Sequence, residues 1–264
     1  MRIAPPTVRS AVVLLLLLSL SASAPSQPAA GRDDARLSRG AELLARGDWM
    51  GARSSYLEAL DGGSARFTAL HRLARVESML AESGSGEEAR TLVASAVEHA
   101  RAAVGLAPDS AAGHLELAVA LGRQALKEGP KTQLSLSREI KSEVDRALAI
   151  DPSLGRGWHV LALWNRKLAS LNFVERTVAK TVLGGVPKGA TMENAVAHLQ
   201  RAVALEPAYV NHHLELGRTF AQLKRTAEAR QELERAAGLT PEAGPLDARY
   251  QAEARELLAR LKKS

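Results

Sequence analysis

Four times along this chain a helix-forming run stops at a proline: Gly105-Leu-Ala-Pro108, Ala149-Ile-Asp-Pro152, Ala204-Leu-Glu-Pro207 and Gly238-Leu-Thr-Pro241. A proline in such a run ends the helix, because it lacks an amide hydrogen and pushes the residue before it out of helical geometry. The last two prolines are 34 residues apart, and the earlier intervals of 44 and 55 read as the same unit carrying insertions of 10 and 21 residues. A chain punctuated in this way has to build itself from short helices that turn back on one another. Composition agrees, since Ala, Leu, Arg and Glu dominate and aromatics make up only 3% of the residues. Such side chains lose little freedom in a helix. Strands would need β-branched and aromatic runs, which do not occur beyond the amino terminus.

A 34-residue period is that of tetratricopeptide repeats, each a helical hairpin. The large and small positions fit that frame. The unit from Val210 to Pro241 places Leu216-Gly217, Phe220, Ala229, Leu233 and Ala236 in register. The unit before it offers Trp158 and Leu161-Ala162 and then, past the longer insertion, Ala195, Leu199 and Ala202. Further forward, His114, Leu117-Ala118 and Leu121 precede Val144 and Ala147, and the stretch from Arg66 to Ala107 makes another hairpin. Gly40, Ala52, Tyr56 and Ala59 form the first. A mid-helix glycine such as Gly217 costs about 1 kcal/mol against alanine, so its place at the small position implies close helix packing. One hairpin cannot bury its apolar face alone, so several must stack. The fold class expected is all-α, a solenoid of about five hairpins over residues 35–264. Asp247 to Leu261 closes it as an amphipathic cap with Tyr250, Ala254, Leu257, Leu258 and Leu261 inward, and Glu253 outward.

Residues 1–24 read as a signal peptide. Arg2 and Arg9 precede an apolar run from Ala11 to Leu20, and Ser21-Ala22-Ser23-Ala24 supplies small residues for cleavage. The run is short of the roughly 20 residues that a membrane span needs. An uncleaved anchor is the alternative reading and would be the only membrane contact. Residues 25–34 then read as a linker. The chain has no cysteine, which excludes disulfides, cysteine metal sites and a cysteine nucleophile. The short leader and the Ala/Arg-rich composition place the protein in the bacterial periplasm or envelope. The formal charge of +6 is spread among interspersed acids and bases, not gathered into the basic stripe that nucleic-acid binding needs.

Catalytic and cofactor motifs fail on context. Gly84-Ser-Gly86-Glu-Glu-Ala89 spells a dinucleotide fingerprint but follows a helix, so it reads as a loop. Gly129-Pro130-Lys131-Thr132 lacks the first glycine of a phosphate loop and reads as a turn. None of the seven histidines pair at i, i+4, so no metal is expected. His212 and His213 point about 100° apart on a helix, and His213 takes a core position. With no legible catalytic grouping and no cofactor expected, the chain reads as a binding protein.

Several segments carry a more specific likeness. Ser137-Arg-Glu-Ile-Lys-Ser-Glu-Val-Asp-Arg-Ala-Leu-Ala-Ile-Asp-Pro152, Trp158-His-Val-Leu-Ala-Leu-Trp164, Phe173-Val-Glu-Arg-Thr-Val-Ala179, Leu183-Gly-Gly-Val-Pro187 and Thr191-Met-Glu-Asn-Ala195 resemble the regulator of microtubule dynamics family. The resemblance runs from about Phe67 to Leu261 and departs at Asn165-Arg-Lys, which is more polar than the family pattern. It implies tetratricopeptide-like helix pairs with an interaction role and no known catalytic residues. Microtubule binding is not carried over to an exported protein.

By repeat position, Arg123, His159, Arg166, Arg218 and Gln222 should face the inner, concave side, where a protein or peptide partner bearing carboxylate or phosphate would meet arginine. His159 can instead be a packing residue. The insertion from Leu171 to Ala190 is apolar for a loop, and long insertions in compact folds are usually functional or disordered. A helix over 173–183 is expected there, with Phe173 and Arg176 at its partner-facing start. Such a helix either simply packs on the solenoid or closes a groove for a lipid or other apolar ligand.

Overall fold

The structure, a computed structural model, describes Met1, residues 29–241 and residues 245–261. The signal peptide expected over 1–24 lies outside the described residues, apart from Met1. Among the described residues there are helices and no strands. Five antiparallel pairs follow in order: α1 (Ala29–Ala45) with α2 (Trp49–Gly62), α3 (Arg66–Ser83) with α4 (Gly86–Leu106), α5 (Ala111–Ala125) with α6 (Pro130–Ile150), α7 (Gly155–Ala169) with α9 (Met192–Leu205), and α10 (Val210–Gln222) with α11 (Thr226–Gly238). An extra helix, α8 (Phe173–Leu183), interrupts the fourth pair, and α12 (Pro245–Leu261) follows the fifth. The five hairpins and the capping helix are those the repeat pattern predicts. No described helix is long and apolar enough to cross a membrane.

Helix α1 starts at Ala29, so residues 29–34 of the expected linker are helical. Its register is held by Asp33, which is buried and accepts hydrogen bonds from the Ser64 amide at 3.0 Å and from Arg36 at 3.1 Å.

The terminal prolines do more than stop helices. The His114 ring nitrogen Nε2 donates to the Pro108 carbonyl at 2.8 Å, the Trp158 indole to Pro152 at 2.9 Å, and His213 Nε2 to Pro207 at 3.0 Å. The three rings occupy one repeat position, six residues after the proline each time. Each bond pins the start of an inner helix to the end of the preceding outer one and satisfies a carbonyl left free by the helix end. Close packing within hairpins rests on the predicted glycines. A Cβ on Gly217 would come 2.7 Å from the Leu233 Cγ, and one on Gly40 would lie 2.3 Å from the Tyr56 ring.

The solenoid does not remain open. Leu37, Tyr56, Leu73 and Val76 from the first hairpins share one apolar cluster with Val210, Leu214, Leu246 and Tyr250 from the last elements. Arg249 of α12 donates to the Glu82 backbone carbonyl and side chain of α3, each at 2.6 Å, and the Tyr250 hydroxyl donates to the same carboxylate at 2.5 Å. The capping helix therefore comes back against α3. What the repeat pattern presents as an extended concave surface is walled into a cavity.

Candidate functional site

The inner helices α3, α5, α7 and α10, with α6 and α12, enclose a half-open cavity of about 480 Å³. Its two parts differ in chemistry. Between α5, α6 and α7 lies an aliphatic wing that includes Ala118, Ala125, Leu134, Ile140, Val160 and Leu163. The centre is charged, with Arg123, Arg156, Arg166, Arg218 and Arg249 set against Glu82, Glu215 and Glu253. This volume falls within the range of natural ligand pockets.

The arginines are already engaged. Arg156 grips both oxygens of the buried Glu116 carboxylate, at 2.6 and 3.1 Å. Burial works against the Glu116 charge, yet the Arg156 guanidinium outweighs it and holds the carboxyl below its ordinary pKa. Arg156 is also disfavoured by burial, and Glu116 more than compensates, raising its pKa. Arg123 bonds Glu82, and Arg166 bonds Glu215 and the Thr219 hydroxyl. Arg218 reaches Glu215 at 2.5 Å and also bonds Glu253. Glu253, read as a solvent-facing residue of the cap, is instead an inward partner of α10, because α12 turns that side toward the cavity.

Two histidines stiffen the wall. His159 and His212 meet Nδ1 to Nδ1 at 2.9 Å, and His212 Nε2 donates to Glu206 at 2.9 Å. With His212 donating from Nε2, its Nδ1 accepts from His159. Only one proton fits between the two Nδ1 atoms, so the two rings cannot both be doubly protonated. Burial and the neighbouring His212 push the His159 pKa well below the usual histidine value, and burial lowers that of His212. Tyr209 lies against His212 with ring centroids 4.5 Å apart, and burial raises the pKa of its phenol. Among the described residues no cluster of histidine and carboxylate side chains could hold a metal ion.

Four of the seven residues singled out by sequence, Arg123, His159, Arg166 and Arg218, line the cavity. Gln222, the last residue of α10, is exposed and outside the lining. Phe173 and Arg176 are also outside it. Helix α8 packs on α6 and leaves Phe173 85% and Val174 69% exposed. Arg176 donates to the Leu171 and Ala169 carbonyls and so staples its own loop. An apolar ligand between α8 and the repeats therefore has no counterpart in this lining. The polar departure at Asn165-Arg-Lys has a structural reason: Asn165 is buried and donates to the Leu161 carbonyl at 2.8 Å, while Arg166 is tied to α10.

Sequence reading missed Glu82, Glu116, Arg156, Tyr209 and Arg249. A signal existed for some of them. Arg75 and Glu82, Glu116 and Arg123, and His159 and Arg166 are each seven residues apart, two turns along one face of an inner helix. Arg249 and Glu82, 167 residues apart, carried none.

The family described as regulator of microtubule dynamics protein 1–3 matches this chain over residues 39–262, starting ahead of the Phe67 at which the motif likeness begins. Regulator of microtubule dynamics protein 3 from Mus musculus is 30% identical over 257 residues, covering 91% of this chain and 54% of that protein. Protein 1 from Bos taurus is 31% identical over 157 residues, covering 58% of this chain and 49% of its own. This chain thus spans about half the length of these relatives. Among solved structures, a thermophilic tetratricopeptide protein of Thermus thermophilus superposes with a TM-score of 0.61 at 21% identity, covering 84% of this chain and 98% of its own. PilF of Pseudomonas aeruginosa gives 0.51 at 17%, covering 88% and 90%. At these identities the likeness speaks for the fold.

Proposed function

The chain belongs to the regulator of microtubule dynamics family, and from that premise we propose that it is a non-catalytic adaptor of the bacterial envelope that seats a segment of a protein partner in the walled cavity. The fold is that of a binding scaffold, and the microtubule role in its relatives' names stays with those longer proteins. The observation that carries the reading is the cavity itself. It combines an aliphatic wing with a charged centre on one continuous surface, as a peptide with mixed side chains needs. Asn211 Oδ1, in the lining, is buried and has no hydrogen-bond partner among the described residues. Buried polar atoms are seldom left unsatisfied, so an occupant offering an amide donor would complete it.

The wing also favours a second reading, a carrier of a lipid or other apolar ligand, seated there and not beneath α8. One experiment separates the two. The protein is purified from the envelope fraction of its own host and weighed under native conditions, beside a Val160→Trp variant that fills the wing. A co-purifying polypeptide lost in the variant supports the adaptor. A few hundred daltons of solvent-extractable material lost in the variant supports the carrier. Recovery only from the cytoplasmic fraction overturns the envelope location, and a partner retained by Val160→Trp overturns the cavity as the site.

A further inference from the structure

Helix α8 stands outside the cavity, and its two sides divide cleanly. At about 100° per residue, Phe173, Val174, Arg176, Thr177, Lys180 and Thr181 share one arc, and all of them are exposed. Val178, Ala179, Val182 and Leu183 lie on the opposite arc and join the core built by α5, α6 and α7. Phe173 and Val174 begin the helix, and the reciprocal bonds between Asn172 and Glu175 fix that first turn. The exposed charges from 172 to 190 are Arg176, Lys180 and Lys188, all basic. Glu175, the one acid of that segment, is half-buried and held by Lys167 at 3.0 Å and by the Asn172 amide at 2.9 Å. The acids of α6, against which α8 packs, are bonded to Arg101, His114 and Lys141. Lys180 and Lys188 have no ion-pair partner among the described residues. Arg176 gives its hydrogen bonds to backbone carbonyls, which leaves its charge uncompensated.

We infer that this face of α8 docks on an anionic phospholipid membrane, with Phe173 and Val174 as the inserted tip and Arg176, Lys180 and Lys188 against the headgroups. The contact is separate from the amino-terminal leader and does not rest on what occupies the cavity. Charge of one sign beside protruding apolar side chains is the pattern of helices that lie in the headgroup region of anionic bilayers. Long basic side chains reach the headgroups while the ring of Phe173 sits deeper. Each basic residue near such a surface gains about fivefold in binding. Area argues against a protein partner, because two apolar side chains fall far short of the roughly 800 Å² per partner that a stable pair buries. A second copy meeting this face with its own would set basic residues against basic residues.

The chain has no cysteine, so a single thiol can be placed in it. Thr177→Cys, in the middle of the face, and Met50→Cys, exposed on α2, each carry an environment-sensitive fluorophore on the full chain. The probes are vesicles of phosphatidylcholine alone and of equal parts phosphatidylcholine and phosphatidylglycerol. The Thr177 label is expected to brighten and shift to the blue with the mixed vesicles, and less with the neutral ones, while the Met50 label stays unchanged. A leader that tethers the chain to a vesicle does not by itself give that difference between the two labels. Phe173→Ser with Val174→Ser lowers the inserted-to-free ratio about tenfold or more, and Lys180→Gln and Lys188→Gln lower it about fivefold each. The inference is overturned if the Thr177 label is silent, if both labels respond alike, if neutral and mixed vesicles give equal signals, or if the double serine variant keeps the full response. A signal that rises with protein concentration in the absence of lipid assigns the face to a second copy. One raised only by lipid-free envelope extract assigns it to an acidic protein, and either result overturns the bilayer as occupant.

Discussion

Helices α8 and α10 are of similar length, 11 and 13 residues, and their fates invert their compositions. Helix α8 carries Phe173, three valines and Leu183, yet buries only Ala179. Helix α10 carries two histidines, a glutamate and a threonine among its nine buried residues. Apolar content did not decide which helix would be inside; position in the repeat did. Helix α10 is the inner member of a hairpin and has α9, α11 and α12 against it. Helix α8 is an insertion that touches the stack along one edge of α6. The polar side chains buried in α10 are tolerated because they are met: His213 by Glu232 and the Pro207 carbonyl, His212 by His159 and Glu206, Glu215 by Arg166 and Arg218; the unsatisfied Asn211 Oδ1, at the cavity, is the exception. Buried polar groups seldom persist without such partners.

The contrast can be broken most forcefully at Leu214, fully buried in α10 within the cluster that joins the two ends of the chain. Leu214→Ala should cost about 2–5 kcal/mol, the range for a buried leucine that leaves a cavity. Urea unfolding measures it, and a loss no greater than that of an exposed leucine, Leu126→Ala, would place α10 outside the cooperative core.

A smaller effect follows from the α7–α10 seam. His159 and His212 both titrate below the usual 6.5 in the folded chain. Below that value the unfolded chain binds protons that the folded one refuses. Stability is therefore full above about pH 6.5 and declines as pH falls, by up to about 1.4 kcal/mol per pH unit for each histidine. His71 and His198, also lowered by burial, add in the same direction. Denaturation midpoints at pH 7.5 and 5.5 test this, and equal midpoints would contradict the neutral seam. Helix α8 has no histidine and adds nothing to that slope.

The smallest effect belongs to α8 itself. Replacing Phe173 and Val174 by serine should leave stability within about 0.5 kcal/mol, as for other surface positions. A clear drop in melting temperature would show that those side chains pack against something in solution.

Much of the frame was legible before the fold was seen. The prolines placed the helix ends, the 34-residue interval placed the hairpins, and the run from Phe173 to Leu183 was readable as a helix. Asn172 and Glu175 close a reciprocal cap at its start, and Gly184, at φ 75°, ends it. His213 was readable as core from its repeat position, and four cavity residues from their places on inner helices. Less legible was what those residues do. Arg123, Arg166 and Arg218 looked like free cations from sequence, and they are partners of Glu82, Glu215 and Glu253. The apolar insertion read either as a helix packed on the solenoid or as the wall of a groove, and it stands outside the cavity.

Local chemistry explains this division. Helix ends, caps, hairpin register and the small-residue positions depend on neighbours within one repeat, and the sequence by itself determined them. Whether the inner face is a trough or a walled cavity depends on how small rotations between hairpins accumulate over five repeats, which no single repeat encodes. Only the tertiary structure brings α12 against α3, joining Arg249 and Tyr250 to Glu82. That closure settles which charges are spent on one another.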